Sequence, residues 1–118
     1  MNKKVKVIFS KDAQKVYDKL KENAHQCKVD KMLFDAIEKK LDIIRSNIFY
    51  GDIIPRDLIP KVYRLKYKVT SLLRVELPCF WRLLYTVRKE EVEIEIIAFI
   101  IEILDHKKYN KRFGYKKR

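Results

Sequence analysis

Glycine and proline are scarce in this chain of 118 residues: there are 2 Gly and 3 Pro. That scarcity excludes long flexible linkers, collagen-like periodicity and low-complexity spacers. No internal repeat is present. The 2 Cys, Cys27 and Cys79, form no CxxC and are joined by only 2 His, so a zinc site is not expected. A disulfide between them is possible, but two reduced thiols are the simpler reading. No run reaches the roughly 18 uncharged apolar residues that a membrane span needs. The most apolar segment, "VEIEIIAFIIEIL" (Val92 to Leu104), is broken by Glu93, Glu95 and Glu102. The start "MNKKVKVIFSKD" lacks the apolar core of a signal peptide. These absences point to a cytoplasmic protein with no membrane partner. No Gly-rich phosphate loop, HExxH or Ser-His-Asp set is recognisable, and no cofactor is implied.

What is abundant is positive charge. Lys and Arg number 28 against 16 Asp and Glu, a net charge of +12. An excess of this size in a small chain favours a polyanionic partner: RNA, DNA or an acidic protein. The alternative is a proteome rich in Lys and Ile for other reasons. The apolar fraction of 47% is enough for one core, so residues 1–118 are read as a single domain with a basic tail over about 110–118.

Periodicity orders the elements. "KVKVIFS" (Lys4 to Ser10) alternates and predicts an edge strand. Ser10 or Asp12 can cap a helix whose stripe is Ala13, Val16, Tyr17, Leu20 and Ala24. Asp30 can cap a second, with Leu33, Ile37, Leu41 and Ile44 as its stripe, and the two form an α-hairpin. Ser46 to Pro60 reads as a packed loop, and "VYRLKYKV" (Val62 to Val69) as a strand or an extended basic loop. "SLLRVEL" (Ser71 to Leu77), "FWRLLYTV" (Phe80 to Val87) and "VEIEIIAFII" (Val92 to Ile101) read as strands, with turns at Pro78-Cys79 and at "RKEE" (Arg88 to Glu91). "DHKKYNKRFGYKKR" adds one or two helical turns. The class is α+β: an N-terminal strand, an α-hairpin, an antiparallel meander of three or four strands and a short C-terminal helix. The helices are expected to cover one sheet face and leave the other free to present basic residues.

Strand alternation sorts the candidate chemistry. Trp81, Leu83 and Tyr85 share one face and read as core anchors; Arg82, Leu84 and Thr86 share the other. Arg74 lies on the neighbouring strand, so Arg74 and Arg82 can converge on one phosphate through their guanidinium forks. Arg82 is expected to stand clear of the core. The structural alternative for it is an ion pair with Glu76 or Glu93. A nearby Tyr or His can move a proton. Lys61, Arg64, Lys66, Lys68, Lys107, Lys108, Lys111 and Arg112 supply further cations along the meander and tail. Such a set can cleave RNA without a metal: the 2′-OH attacks the adjacent phosphorus while cations neutralise the transferring group.

The element order, together with "LLRVELPCFWRLLYTV" (Leu72 to Val87), "EIEIIAF" (Glu93 to Phe99) and "DHKKYNKRF" (Asp105 to Phe113), resembles the RelE/ParE superfamily of toxins from type II toxin–antitoxin systems. The resemblance covers nearly the whole chain. It implies a RelE-like fold and a ribosome-dependent endoribonuclease that cuts messenger RNA and stops translation. It implies an acidic, partly disordered antitoxin as partner, and no metal. By motif, the catalytic set falls on Arg82, Arg74 and Tyr109, with His106 as a further candidate. Two departures stand out. Glu76 occupies a position where nuclease members often carry a second cation, and "IIEIL" (Ile100 to Leu104) has no arginine. The resemblance equally admits a ParE-like gyrase inhibitor or an inactive homologue that only binds an antitoxin.

Overall fold

The structure is a computed structural model that describes residues 5–90 and 95–114. Strand β1 (Val5–Phe9) leads into helices α1 (Lys11–Asn23) and α2 (Lys28–Ser46). Then come β2 (Asp52–Ile53), a short 3-10 turn (Arg56–Leu58), α3 (Lys61–Tyr67), β3 (Leu73–Glu76), β4 (Arg82–Glu90), β5 (Glu95–Leu104) and α4 (His106–Arg112). The class is α+β. The strands form one five-stranded sheet in the order β1-β5-β4-β3-β2. β2 to β5 form an antiparallel meander, as expected from the sequence, but β1 adds to its edge in parallel, so the sheet is mixed and not purely antiparallel. β1 runs parallel to β5, from Val5 opposite Ile96 to Phe9 opposite Ile100. The long path through the remaining strands allows the first strand to close the edge beside the last.

Helices α1 and α2 form as their apolar spacing requires. Ser10 caps α1 by accepting from the Ala13 N–H at 3.0 Å, while its own hydroxyl donates to the Ile101 carbonyl at 2.6 Å. One side chain thus fixes both the helix start and its seat on β5. Asp30 does not cap α2. The helix begins earlier, after Cys27, and Asp30 lies in its first turn, where its charge complements the helix dipole. Leu33, Ile37, Leu41 and Ile44 of α2 are buried with Ala13 and Leu20 of α1 against Leu73, Val75, Leu83, Tyr85, Ala98 and Ile100. Both Cys27 and Cys79 are free thiols.

The opposite sheet face is not free. Ile54, Ile59, Tyr63, Val69, Leu72, Leu84, Ile101, Leu104 and Tyr109 form a second buried cluster under α3 and α4. Leu84, Ile101 and Leu104 are too apolar to leave in water, so the face that sequence reasoning reserved for basic residues needs its own cover. "VYRLKYKV" supplies it. Neither a strand nor a basic loop, it forms α3, which starts after Pro60 and buries Tyr63. The helix ends at Lys68, which adopts the left-handed region at φ 53°. The loop from Ser46 to Pro60 holds the short β2 and the 3-10 turn. Gly51 is forced there. A Cβ would sit 3.0 Å from the Arg74 carbonyl oxygen and 3.0 Å from the Tyr85 ring. The Gly51 N–H donates to Tyr85 Oη at 2.9 Å, and Tyr85 Oη donates to the Ile48 carbonyl at 2.8 Å, so the buried tyrosine ties the loop down.

β4 extends further than the sequence suggested. Arg88 to Glu90 pair with β5 instead of forming the connection. The rest of the expected turn and the start of the last expected strand, residues 91–94, lie outside the described residues. One irregularity matters for function. Tyr85 pairs with Ile100 but Leu84 pairs with Glu102, so Ile101 is an extra residue in β5. Strict alternation from Ala98 and Ile100 would aim Glu102 into the α1–α2 core. The bulge turns it to the other face instead.

Candidate functional site

The β3–β4 hairpin sets up the first cluster. Its turn, Pro78–Phe80, places Cys79 and Phe80 at φ 59° and 61° and closes on a bond from the Leu77 N–H to the Trp81 carbonyl. Glu76 then lies opposite Arg82, and Arg74 opposite Leu84, so the two arginines are diagonal neighbours on one face. From above, α4 brings in Tyr109. Asp105 caps that helix by accepting from the Lys108 N–H at 2.8 Å, and Tyr109 is buried on the second core.

Arg74 Nη1 donates to Tyr109 Oη at 3.0 Å. The Arg82 guanidinium lies 4.7 Å from the centre of the same ring, a cation–π contact. Glu76 sits between them, its Oε1 at 3.4 Å from Arg82 Nε and 3.9 Å from Arg74 Nε. Asp52 of β2 approaches Arg74 at 3.7 Å. These are ion pairs without hydrogen-bond alignment: each Nε is a buried donor that no acceptor satisfies among the described residues. The Tyr109 hydrogen bond outweighs burial and, with Glu76 and Asp52, pushes Arg74 above the ordinary arginine value. The structure therefore joins Arg74, Arg82 and Tyr109, which the sequence singled out, and adds Glu76 and Asp52. It corrects the expectation that Arg82 stands clear of the core: its side chain is 12% exposed, while that of Arg74 is 30% exposed. The ion pair with Glu76 is present; Glu93 lies outside the described residues. Trp81 is half-buried, and Leu83 and Tyr85 are buried in the helix-facing core, as their alternation required.

His106 does not join this cluster. It is exposed at the start of α4, tilted against Phe80 at 5.6 Å between ring centres and 3.2 Å from the Asn110 amide. The remaining cations divide. Lys66 pairs with Asp12 at 3.0 Å, and the hydrogen bond to it lowers Asp12 from its ordinary value. Arg64 donates to the Arg56 carbonyl. Lys107 is exposed. Lys66 and Lys68 share a depression of about 350 Å³ with Tyr67 and with Arg88, a cation that sequence reasoning did not select. Lys61, Lys108, Lys111 and Arg112 line a cleft of about 550 Å³ between α3 and α4.

Sequence reasoning also missed Glu102 and Tyr63. Arg112 Nη2 meets Glu102 Oε1 at 3.0 Å, with the carboxylate side chain only 8% exposed. Burial pushes Glu102 up and the charge of Arg112 opposes it. Tyr63 Oη is buried beside them, and burial, then the charge of Glu102, pushes the phenol up. No signal in the sequence marks the β5 bulge that turns Glu102 toward α4. Among the described residues no cluster of His, Cys, Asp and Glu can hold a metal ion, and no helix is long and apolar enough to cross a membrane.

Compared with protein-family models, with curated proteins and with solved structures, the chain matches none.

Proposed function

We propose that this chain is a RelE-like toxin, a metal-independent endoribonuclease that cuts ribosome-bound messenger RNA. One observation supports it above the others: Arg74, Arg82 and Tyr109, from two strands and a helix far apart in sequence, converge around a shared phenol. Two guanidinium groups with unsatisfied buried Nε donors offer a phosphate bidentate charge-assisted hydrogen bonds. In this reading the 2′-oxygen attacks the scissile phosphorus and the bond to the 5′-oxygen breaks, leaving a cyclic phosphate; Arg74 and Arg82 hold and neutralise that phosphate, and Tyr109 relays the 2′-OH proton to the leaving 5′-oxygen. The Lys and Arg side chains of α3 and α4 steer the backbone to them. Glu76 and Asp52 must yield their ion pairs as the phosphate enters. The antitoxin would be an acidic, partly disordered chain that folds on this basic surface, and the reaction would take place in the cytoplasm.

A second reading has its own support. Tyr109 is 2% exposed, and Glu76 occupies the space between the arginines. A closed cluster of this kind suits a non-catalytic module of the RelE/ParE type that binds an antitoxin or a target such as gyrase. An in vitro translation reaction separates the two. Codon-spaced messenger cuts that disappear in Arg74→Gln support the nuclease; growth arrest without cuts supports the binding module.

A further inference from the structure

β1 leaves the sheet at Phe9, while its neighbour β5 runs on to Leu104. Two cavities, about 550 and 410 Å³, open around that projecting end and share Leu104, Lys108 and Arg112 as walls. Lys61 and Lys111 complete the first, and Asp12, Lys15 and Glu102 border the second. Both acids are committed: Asp12 to Lys66 at 3.0 Å and Glu102 to Arg112 at 3.0 Å. Lys61, Lys108 and Lys111 form no ion pair among the described residues. Three uncompensated ammonium groups thus surround one guanidinium that is fixed in place. The fixing is a built feature. The β5 bulge delivers Glu102, which is buried, and Arg112 also lies over the Tyr63 ring at 5.8 Å. Glu102 engages one terminal nitrogen of Arg112, and a guanidinium has further donors in its fork.

We infer that this cleft is a phosphate-binding site separate from the Arg74–Arg82 cluster, in which Glu102 positions Arg112 to grip a phosphate that Lys61, Lys108 and Lys111 surround. The apolar wall of Pro60, Val62 and Leu104 sits beside those cations and can receive the non-phosphate part of a ligand. The same chemistry fits a backbone phosphate of single-stranded RNA and a free pyrophosphate-bearing molecule. The inference rests on the proposed RNA reading only for the first of these, and it needs no cleavage.

The test compares two triple variants of equal charge in the full chain. Lys61→Ala/Lys108→Ala/Lys111→Ala empties the cleft of its free cations. Lys19→Ala/Lys21→Ala/Lys39→Ala removes exposed charges on α1 and α2, away from the cleft. Inorganic pyrophosphate is titrated by calorimetry and a single-stranded RNA dodecamer by fluorescence anisotropy. The cleft triple is expected to lose at least tenfold in affinity and the control triple less than threefold. For RNA, the slope of log affinity against log salt should fall by roughly 2 in the cleft triple, about 0.7 for each lost contact. Loss for pyrophosphate identifies a small phosphate ligand; loss for RNA alone identifies a backbone phosphate. Equal behaviour of the two triples with both probes overturns the site. Arg74→Gln is run alongside. If it binds both probes normally and the wild-type chain itself never cuts, the nuclease reading fails and the cleft stands.

Discussion

Tyr109→Phe removes one oxygen from the centre of the candidate site and leaves the ring that packs it. The hydroxyl accepts from Arg74 Nη1 at 3.0 Å. A hydrogen bond to a charged group is worth about 1.5–3 kcal/mol when its partner is left stranded. Arg74 is not stranded fully, since its side chain is 30% exposed and water can take the vacated place. The expected loss of stability is therefore about 1–2 kcal/mol, or about 3–10 °C in Tm for a domain of this size. The Arg82 cation–π contact survives because the phenyl face is unchanged. Activity should fall much further than stability: a positioned proton-transfer group contributes about 10²–10⁴ in rate. Calorimetric melts and single-turnover cutting of messenger on purified ribosomes are measured on the same preparation. Loss of cutting with a Tm drop in that range supports a chemical role for the phenol. A variant that melts lower but cuts at the wild-type rate would make Tyr109 a packing residue alone. Unchanged melting and unchanged cutting together would refute both the hydrogen-bond argument and the assignment.

The same packing sets three other outcomes. Leu84→Ala, at a fully buried position of β4 between Arg74 and Glu102 in the register, should cost about 2–5 kcal/mol in urea unfolding. Gly51→Ala should destabilise by about 1–3 kcal/mol, because the new Cβ meets the Arg74 carbonyl at 3.0 Å and backbone cannot swing aside. Tyr17 donates to Glu38, and burial first, then that bond, raises its phenol from 10.0 to about 12. The folded state holds this proton more tightly than the unfolded chain. Its contribution is complete below about pH 10 and is lost as the pH rises toward 12. Tyr17→Phe should therefore flatten part of the alkaline fall in Tm between those values, and an unchanged slope would exclude Tyr17 as a source.

The two faces of the sheet were unequally visible in the sequence. Ala13, Leu20, Leu33, Ile37, Leu41 and Ile44 recur at helical spacing, and Leu83 and Tyr85 alternate with Leu84, so the larger core could be read directly. Arg74 and Arg82 were found because alternation and motif pointed to the same positions, and Tyr109 was found by motif alone. The second layer was hidden. "VYRLKYKV" alternates well enough to pass for a strand, and only tertiary contact with Leu84 and Ile101 decides that it coils over them as α3. The parallel edge pairing of β1 depends on where the chain returns, which local pattern does not encode. Glu102 was invisible because a single extra residue, Ile101, reverses the face of the residues after it. The burial of Arg82 is a consequence of the hidden layer: with α4 in place, a mid-strand arginine on that face is roofed by Tyr109.

Primer extension on messenger recovered from a translating extract tests the central claim most directly. Added wild-type chain should produce new 5′ ends spaced by codons, only on ribosome-bound messenger, and Arg74→Gln of normal Tm should produce none. Intact messenger at every dose of a folded wild-type chain would contradict the nuclease reading and leave the binding module.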